Sequence, residues 1–490
     1  MMNERGKSDN PILPEKLPNK AETAAEATEE RGLAKGNRSE RNALRTQGRA
    51  GVQSALGRIR QAAQREGRQQ FTALYHHVYD LDMLREGFYA LKRSAAAGVD
   101  GVTWQQYGEK LEENLKGLSD RLKRGAYRAQ PSKRSHVPKS DGRKRPIGVS
   151  ALEDKVVQRA AVAVLNAVYE NDFVGFSYGF RSGRNPHNAL DALYGGLTKR
   201  KVNYVLDADI REFFDTLDHQ WLDRFIRHRI ADKRILRLIQ KWLKAGVLEE
   251  GIRKQVDIGT VQGGSISPLL ANIYLHYVLD LWAHQWRNRQ ARGDVIIVRF
   301  ADDFVVGFQH RGEAERFLAE LRERFANFGL ALHRDKTRLI EFGRFASQNR
   351  ARRGESKPDT FNFLGFTHIC GTTRKGWFTI RRKTNGKKLR LKLKQVRSEL
   401  RGRMHDPIPE QGGYLQSVVA GHTRYYGVPF NSPAISIFRK EVCRSWLRVL
   451  RRRSHKHRLT WDRMQRLITK WIPPARVCHP HPLRRFDVIT

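Results

Sequence analysis

The segment VIIVRFADDFVVGF is the feature that most constrains the fold of this chain. Its two outer runs, Val295–Phe300 and Phe304–Phe308, are rich in β-branched and aromatic residues, and they flank Ala301, Asp302 and Asp303. This pattern predicts a β-hairpin with two acidic residues at its tip. A pair of Asp residues in a turn is also an ordinary structural feature, because Asp tolerates turn geometry. The hairpin alone therefore leaves the role of its acids open.

A second acidic segment, NYVLDADIREFFDTLDH, combines with the hairpin. A β-like run from Tyr204 to Leu206 leads to Asp209, and a helical pattern begins near Phe213. An acid at the end of a buried strand is costly unless a cation or hydrogen bonds compensate it. Phosphoryl transfer by two Mg²⁺ ions needs only a few carboxylates that converge from separate strands. The two segments together therefore predict a metal site, although Asp207, Asp215 and Asp218 lie in the same segment and the residues alone do not choose Asp209 among them.

The charge of the chain indicates its class of partner. Lys and Arg total 92 against 51 Asp and Glu, a formal net charge of +41. An excess of this size destabilises a compact fold through self-repulsion unless a polyanion relieves it. A nucleic acid backbone is the partner that this balance favours, while a membrane surface or a ribonucleoprotein assembly remains possible on composition alone.

Cysteine usage and hydropathy exclude several other classes. Cys370, Cys443 and Cys478 lie far apart with no CxxC pair, which argues against a disulfide scaffold and against a cysteine-based zinc module. No apolar run has the length of a membrane span, and the N-terminus has no signal-like apolar region. We therefore expect a reducing, cytoplasmic setting and no membrane partner.

The order of patterns along the chain predicts its organisation. Residues 1–70 are polar and basic, and we expect them to be mostly disordered, with a short helix near Val52–Ala63. Packing is expected to begin at Phe71, and helical and β-like patterns alternate from there to about residue 370. Residues from about 385 to 470 read as basic helices. The last twenty residues contain four prolines and are expected to form an extended tail.

Seven segments in order carry a family resemblance. They are GRKRPIGVSALEDKVVQ, FSYGFRSGRNPHNAL, DADIREFFDTLDH, GTVQGGSISPLLANIYL, RFADDFVVGF, LHRDKTRLI and FNFLGF. Together they resemble the bacterial group II intron-encoded reverse transcriptase/maturase family, and the likeness runs from about residue 71 to the C-terminus. It implies an α+β right-hand polymerase with fingers and palm at 71–370 and an all-helical thumb, or maturase domain X, at 371–455. Residues 456–490 would be a basic C-terminal segment.

The resemblance also implies catalytic roles for three acids. Asp209, Asp302 and Asp303 match the triad that holds two Mg²⁺ ions, one activating the primer 3′-hydroxyl and the other neutralising the leaving pyrophosphate. Asp209 is chosen because it heads the Asp-Ile-x-x-Phe-Phe pattern. Asp215 and Asp218 are expected to cap or pair structurally.

Five further residues match positions that handle the dNTP. Lys139 and Arg145 resemble the fingers cations that grip the triphosphate, although a general phosphate-backbone contact is an alternative for Lys139. Gln262 precedes two glycines that permit close approach to a nucleotide or base pair. Lys336 matches a lysine near the nucleotide phosphates, with an ordinary surface lysine as the alternative. Phe214 matches the ring that excludes a ribose 2′-hydroxyl, with a core aromatic as the alternative.

Departures from the family pattern refine the expectation. The hairpin has Phe where Tyr is commoner, and no paired-Cys endonuclease motif follows, so the chain resembles the endonuclease-lacking branch. A zinc site is disfavoured by its ligand spacing; its candidate ligands would be His455, His457, Cys478, His479 and His481. Three functions remain in competition. The leading one is an intron-encoded enzyme that binds its intron RNA and copies RNA from a DNA primer. The others are a domesticated reverse transcriptase in phage defence or DNA repair and a catalytically idle RNA-binding splicing factor. The oligomeric state is not indicated.

Overall fold

The computed structural model of this protein describes residues 38–138, 144–249, 252–254, 258–260, 263–453 and 459–485. The chain is helical before its first strand, through α1 (Arg38–Arg65), α2 (Tyr75–Val78), α3 (Leu81–Tyr89), α4 (Trp104–Glu109) and α5 (Leu111–Lys123). Helix α1 is much longer than the short helix expected there. It also packs, because Val52, Leu56, Ile59 and Ala63 are all buried. The prediction that packing begins at Phe71 is therefore wrong: one narrow apolar stripe suffices to dock a helix that is otherwise polar.

A first sheet and its helices follow. They comprise β1 (Ser132–Pro138), β2 (Lys144–Val149), α6 (Leu152–Tyr169) and α7 (Pro186–Lys199). The strand order of this sheet is β2-β1-β4-β5, with β1 and β2 antiparallel and β1 and β4 parallel. The two later strands are β4 (Val247–Glu249) and β5 (Ile252–Lys254).

A central sheet lies at the heart of the molecule. Its order is β6-β7-β3-β8 and all its pairings are antiparallel. The strands are β3 (Tyr204–Asp209), β6 (Val295–Phe300), β7 (Asp303–Phe308) and β8 (Arg338–Glu341). Side chains alternate between its faces, so Leu206 and Ile297 join one large core while Val205 and Ile296 join a second core on the other face. The predicted hairpin and the predicted strand before Asp209 are both confirmed.

The helices between these strands pack the first of the two cores. They are α8 (Phe213–Thr216), α9 (His219–Arg227), α10 (Lys233–Lys244), α11 (Ser267–Leu275), α12 (Leu281–Arg289) and α13 (Arg311–Asn327). A further helix, α14 (Ala346–Arg352), follows β8. Helices α11 and α12 are continuous through a π-helical turn, His276–Asp280. On this helix Leu270 and Ile273 are buried, whereas Leu281, just after the π-helical turn, is 39% exposed. The extra residue in the wide turn rotates the following face out of the core.

A third sheet and a helical region complete the chain. The third sheet has the order β11-β10-β9. Its strands are β9 (Phe361–Phe363), β10 (Phe366–Thr372) and β11 (Phe378–Thr384). The helices are α15 (Gly386–Gly402), α16 (Ile408–Tyr426), α17 (Ser432–Arg451), α18 (Trp461–Trp471) and α19 (Pro482–Arg485). The prediction of an all-helical segment from residue 371 is wrong at its start, because β11 occupies residues that read as a basic stretch. From α15 to α18 the helices share a core of their own.

The C-terminal residues are docked rather than free. The Cys478 backbone N–H donates to the Gly427 carbonyl oxygen at 2.7 Å, and Pro482 is buried. The expected extended tail therefore follows the surface of the helical region up to α19. Within the described ranges, no helix is long and apolar enough to cross a bilayer.

Candidate active site

Two of the predicted acids face each other across neighbouring strands. Strands β3 and β7 pair so that Asp209 lies opposite Asp303, at the end of both strands. Both strands form because runs of β-branched and aromatic residues bury both faces of the central sheet. Asp302 precedes Asp303 in the tight turn between β6 and β7. The fold therefore brings Asp209, Asp302 and Asp303 to one edge of the central sheet, named here the acidic edge.

The hairpin turn is held in a demanding conformation. Ala301 has a φ of 59°, in the left-handed region that residues with a Cβ seldom adopt. Gly179 packs directly on this turn, since a Cβ there would collide with the backbone nitrogen of Ala301. The carbonyl oxygen of Gly179 in turn accepts a hydrogen bond from Asn272 Nδ2 at 2.7 Å. The position of the acids thus depends on a close backbone contact from the segment before α7.

Like charges crowd at the acidic edge. Asp303 keeps solvent-exposed surface, yet the surrounding protein atoms desolvate its carboxylate enough to raise its pKa. That desolvation and the carboxylates of Asp302, Asp209 and Asp207 raise the pKa of Asp303 to about 7. Burial likewise raises the pKa of Asp207 to about 6, although Arg338 at 3.6 Å opposes the shift. Negative charge is therefore concentrated here and only partly compensated.

Two lysines approach this edge. Lys336 Nζ lies 2.5 Å from Oδ2 of Asp209, and Lys388 at the start of α15 is close enough to Asp303 to lower its pKa. In the described part of the chain, no group of three His, Cys, Asp or Glu side chains converges tightly enough to hold a metal ion. Lys336 thus compensates the charge of Asp209, which lies close enough to raise the pKa of Asp303 but does not form a tight three-ligand cluster with the other acids.

The donor set nonetheless suits a divalent cation. Carboxylate oxygens are the ligands that Mg²⁺ takes, and it needs only one or two of them beside water and substrate phosphates. The mutual repulsion that raises the pKa of Asp303 is the kind of strain that a bound cation removes. If Mg²⁺ binds in this protein, Asp209, Asp302 and Asp303 are the residues fitted to hold it.

The loop before α11 is hydrogen-bonded to the segment that carries Phe213 and Phe214. Thr260 N–H donates to the Phe214 carbonyl oxygen at 2.7 Å, and Gly259 N–H donates to that of Leu217 at 2.7 Å. Phe213 is buried, as expected for a core ring, whereas Phe214 is only partly buried at the edge of the core. Phe214 is thus held by its backbone while part of its ring stays accessible.

Three of the residues predicted to handle the dNTP have no described side chain. Lys139 and Gln262 lie outside the described residues, and Arg145 lies on β2 with only its backbone described. Gly263, next to Gln262, packs against β2, because a Cβ there would lie 2.6 Å from the Gly148 carbonyl oxygen. Gly263 therefore contacts the strand that carries Arg145.

Other sequence predictions have direct outcomes. Asp218 caps α9 by accepting from Gln220 N and Trp221 N, as expected for a structural acid. His479 stacks on His187 with ring centroids 3.8 Å apart, and its Nε2 lies 2.6 Å from the Arg424 carbonyl oxygen.

The remaining candidate zinc ligands have different placements. His481 lies against Tyr194, with its Nε2 3.3 Å from the hydroxyl oxygen. His455 and His457 lie outside the described residues.

One group of site residues was missed by sequence reasoning. Arg299, one strand position from the hairpin turn, is wholly buried and paired with the wholly buried Asp280. An Arg inside the otherwise apolar run Val295–Phe300 was the available signal, because a charged residue among buried neighbours needs a partner.

Comparisons with known proteins are consistent with this geometry. A family model described as reverse transcriptase (RNA-dependent DNA polymerase) matches residues 137–368, a range that contains all three acids. Protein YkfC of Escherichia coli K12 is 33% identical over 304 residues, covering 54% of this chain and 80% of that protein. Group II intron-encoded protein LtrA of Lactococcus lactis subsp. cremoris is 35% identical over 234 residues. That match covers 46% of this chain but only 38% of LtrA. A putative COX1/OXI3 intron 1 protein of Saccharomyces cerevisiae is 28% identical over 220 residues, covering 44% of this chain and 26% of that protein.

Proposed function

The chain belongs to the reverse transcriptase family, in its group II intron-encoded maturase branch, and from this premise we propose how its residues serve that function. The activity is RNA-directed DNA synthesis, coupled to intron RNA binding as a maturase. The observation that carries the proposal is the placement of Asp209 opposite Asp303, with Asp302 beside it, on a sheet packed on both faces. A rigid base of this kind keeps catalytic groups within the narrow limits that phosphoryl transfer requires.

We assign the parts of a polymerase to parts of this fold. The central sheet would be the palm, the first sheet with its helices the fingers, and helices α15 to α18 the thumb or domain X. Lys388, at the start of α15, lies near Asp303, so the proposed thumb begins beside the acidic edge. An RNA–DNA duplex bound between thumb and palm would then present its primer end to the acids. The net charge of +41 supports the binding of a long nucleic acid partner.

The chemistry at the acidic edge follows from its residues. When bound to Asp209, Asp302 and Asp303, two Mg²⁺ ions supply activation of the primer 3′-hydroxyl and neutralisation of the leaving pyrophosphate. Lys336 compensates Asp209 in the free protein, and we propose that it turns to the phosphates of an incoming dNTP. Phe214, fixed by its backbone at the core edge, would limit the space beside the sugar.

We propose that the fingers bind the rest of the nucleotide. Arg145 on β2 is suited to the triphosphate because a guanidinium presents a planar fork of donors, and Lys139 would assist it. Gln262 would face the base pair from a loop that Gly263 allows to pack tightly on β2. These roles depend on the match to the family motif rather than on described side-chain contacts.

The test is primer extension on an RNA template with dNTPs and Mg²⁺. We expect wild type to make DNA. We expect the Asp302→Asn plus Asp303→Asn variant to lose at least about a thousandfold in rate, since metal stabilisation of the transition state is worth several kcal/mol. Asp359→Asn is a control for the loss of a surface charge, because Asp359 is a half-exposed acid that pairs with Arg350 and is not one of the four acids at the edge.

The opposite outcome would select another function. If wild type makes no DNA but binds RNA tightly and with strong salt dependence, the chain is a splicing factor on an idle polymerase fold. If it makes DNA on any primed RNA without preference for intron RNA, the domesticated enzyme is favoured over the intron-encoded one.

A further inference from the structure

The guanidinium group of Arg299 is fully used inside the protein. Its Nε and one Nη donate to the two carboxylate oxygens of Asp280 at 2.7 and 2.5 Å. The remaining N–H groups donate to Asn272 Oδ1 at 3.1 Å, to Ser177 Oγ at 2.7 Å and to the Ala301 carbonyl oxygen at 2.9 Å. Arginine has five N–H donors, so each donor has an acceptor here. Arg299 and Asp280 are both 0% exposed.

This arrangement is not explained by stability alone. Burying an ion pair requires desolvation of both charges, and apolar residues of similar volume commonly give equal or greater stability. Apolar residues could not orient the surrounding groups in this way, because only a hydrogen bond gives each group a defined partner and geometry. A fully bonded guanidinium is therefore better understood as a device that sets geometry.

The geometry that it sets is that of the hairpin turn. Arg299 is the penultimate residue of β6, and its own guanidinium donates to the carbonyl oxygen of Ala301, two residues on. That carbonyl belongs to the peptide that leads into Asp302. Because Ala301 is held at a φ of 59°, rotation of this peptide is the motion that would relax the turn. The hydrogen bond from Arg299 opposes that rotation.

Backbone hydrogen bonds also connect Arg299 to the segment before α7. The Arg299 carbonyl oxygen accepts from Tyr178 N at 2.8 Å, and Arg299 N–H donates to the Phe176 carbonyl oxygen at 2.9 Å. Ser177 lies between these two residues and is wholly buried. The segment that presses Gly179 on the turn is therefore bonded to Arg299 by both backbone and side chain.

The π-helical turn explains how one helix supplies two partners. Asn272 and Asp280 are eight residues apart, which in a regular α-helix would place them about 80° apart around the axis. The His276–Asp280 turn holds one extra residue, because Leu281 N–H donates to the His276 carbonyl oxygen five residues back. Eight positions then correspond to about seven α-helical steps, within about 20° of two full turns. Asn272 and Asp280 thus face Arg299 together.

We propose that Arg299, Asp280 and Asn272 form a positioning unit that locks the Ala301–Asp302 peptide and so fixes the carboxylates of Asp302 and Asp303 for metal binding. The unit also joins the hairpin to the helix that follows the Gln-Gly-Gly loop, so that the acids and the nucleotide-binding loop keep one spacing. This inference rests on the proposed polymerase function for its catalytic consequence, but not for its effect on cation binding.

The experiment compares matched substitutions in two buried ion pairs. Arg299→Lys keeps the charge but loses the planar fork, and it should weaken the lock without emptying the site. Arg382→Lys is the control, because Arg382 and Asp191 form a second buried pair, both 3% exposed and 2.8 Å apart, between β11 and α7. Each variant is measured for melting temperature, for Mn²⁺ binding by electron paramagnetic resonance without nucleotide, for RNA–DNA duplex affinity and for the rate of single-nucleotide incorporation.

A positioning role predicts a distinct set of changes. We expect Arg299→Lys to weaken Mn²⁺ binding several-fold and to lower kcat about 10- to 100-fold, as a small misplacement of reacting groups does, with duplex affinity changed less than about twofold. Arg382→Lys should lower the melting temperature comparably and leave Mn²⁺ affinity and kcat unchanged. Arg299→Met combined with Asp280→Leu removes both charges; it should fold and still bind Mn²⁺ weakly.

The results separate this inference from the proposed function. If wild type makes no DNA while Mn²⁺ binding falls in Arg299→Lys alone, the polymerase proposal fails and the positioning unit stands. If wild type polymerises and Arg299→Lys keeps the wild-type Mn²⁺ affinity and kcat, the positioning unit is wrong and the polymerase stands. A loss of melting temperature alone, equal in both lysine variants, would also overturn the inference.

Discussion

Charge is treated in opposite ways at the acidic edge and in the interior behind it. At the edge, four carboxylates crowd together and the pKa of Asp303 rises to about 7. A few residues away, the guanidinium of Arg299 has an acceptor for every donor and no exposed surface. The crowded carboxylates of the acidic edge need a ligand of opposite charge to balance them. The fully hydrogen-bonded Arg299, by contrast, fixes the local geometry before any ligand binds. Preorganisation of this kind allows an active site to work without rearranging during the reaction.

Gly179→Ala alters the packing that holds the hairpin turn in place. Of the three substitutions Gly179→Ala, Phe214→Ala and His368→Phe, it has the largest expected effect. The added Cβ would collide with the backbone of Ala301, so the hairpin turn must move and carry the acids with it. We expect the rate of DNA synthesis to fall about 100-fold, as a shift of about 1 Å in reacting groups does. The control is Gly117→Ala on the exposed face of α5, where a Cβ meets nothing within 4 Å. Equal activity in the two variants would show that the turn tolerates displacement.

Phe214→Ala alters the accessible part of the proposed active site, where we expect the nucleotide to bind. We expect the selectivity for dNTP over rNTP to fall about tenfold or more, since the ring would no longer exclude a 2′-hydroxyl. Phe213→Leu is the control, because Phe213 is buried in the core beneath and should affect stability rather than selectivity. The measurement is the ratio of kcat/KM for matched deoxy- and ribonucleotides, and an unchanged ratio in Phe214→Ala would return Phe214 to a purely structural role.

His368→Phe tests a buried titratable group in the protein interior and has the smallest expected effect of the three substitutions. His368 is 1% exposed and stacks on Phe361, and burial, aided by nearby Arg382, lowers the pKa of His368 to about 3. The unfolded chain therefore takes up a proton near pH 6.5 that the folded protein rejects. Stability contributed by neutral His368 is present at pH 7 and is lost as the pH falls from about 6.5 toward 3.

The measurement is the free energy of unfolding at pH 7 and pH 5. Between these values wild type should lose about 2 kcal/mol that His368→Phe keeps. His405→Gln, at an exposed histidine, should follow wild type. Parallel pH dependence in wild type and His368→Phe would show that the buried ring titrates normally.

The parts of the fold that could be predicted are those written in local sequence. Strand β3 and the β6–β7 hairpin follow from short runs of β-branched and aromatic residues, and their burial on both faces makes the signal strong. The acids at their ends were identified for the same reason, aided by the family motif. Asp218 was correctly separated from them as a structural residue because it precedes a helix, where an acid caps the first turn.

The parts that could not be predicted depend on contacts distant in sequence. Ser177 lies 122 residues from Arg299, and Asp280 in an apparently regular helix looks like a surface residue until the π turn is known. Helix α1 was predicted only as a short helix near Val52–Ala63, because the residues before that stripe are mostly polar and give no apolar pattern. Strand β11 was missed because its arginines and lysines outweighed the alternation of buried residues in a basic chain.

The most direct test of the central claim is a structure of the protein with an RNA–DNA duplex, an unreactive dNTP analogue and Mg²⁺. We expect two cations roughly 3.5–4 Å apart, held by Asp209, Asp302 and Asp303, with Lys336 moved from Asp209 to the triphosphate and the Arg299 network unchanged. Cations bound elsewhere, or a primer end that does not reach these three acids, would contradict the central claim.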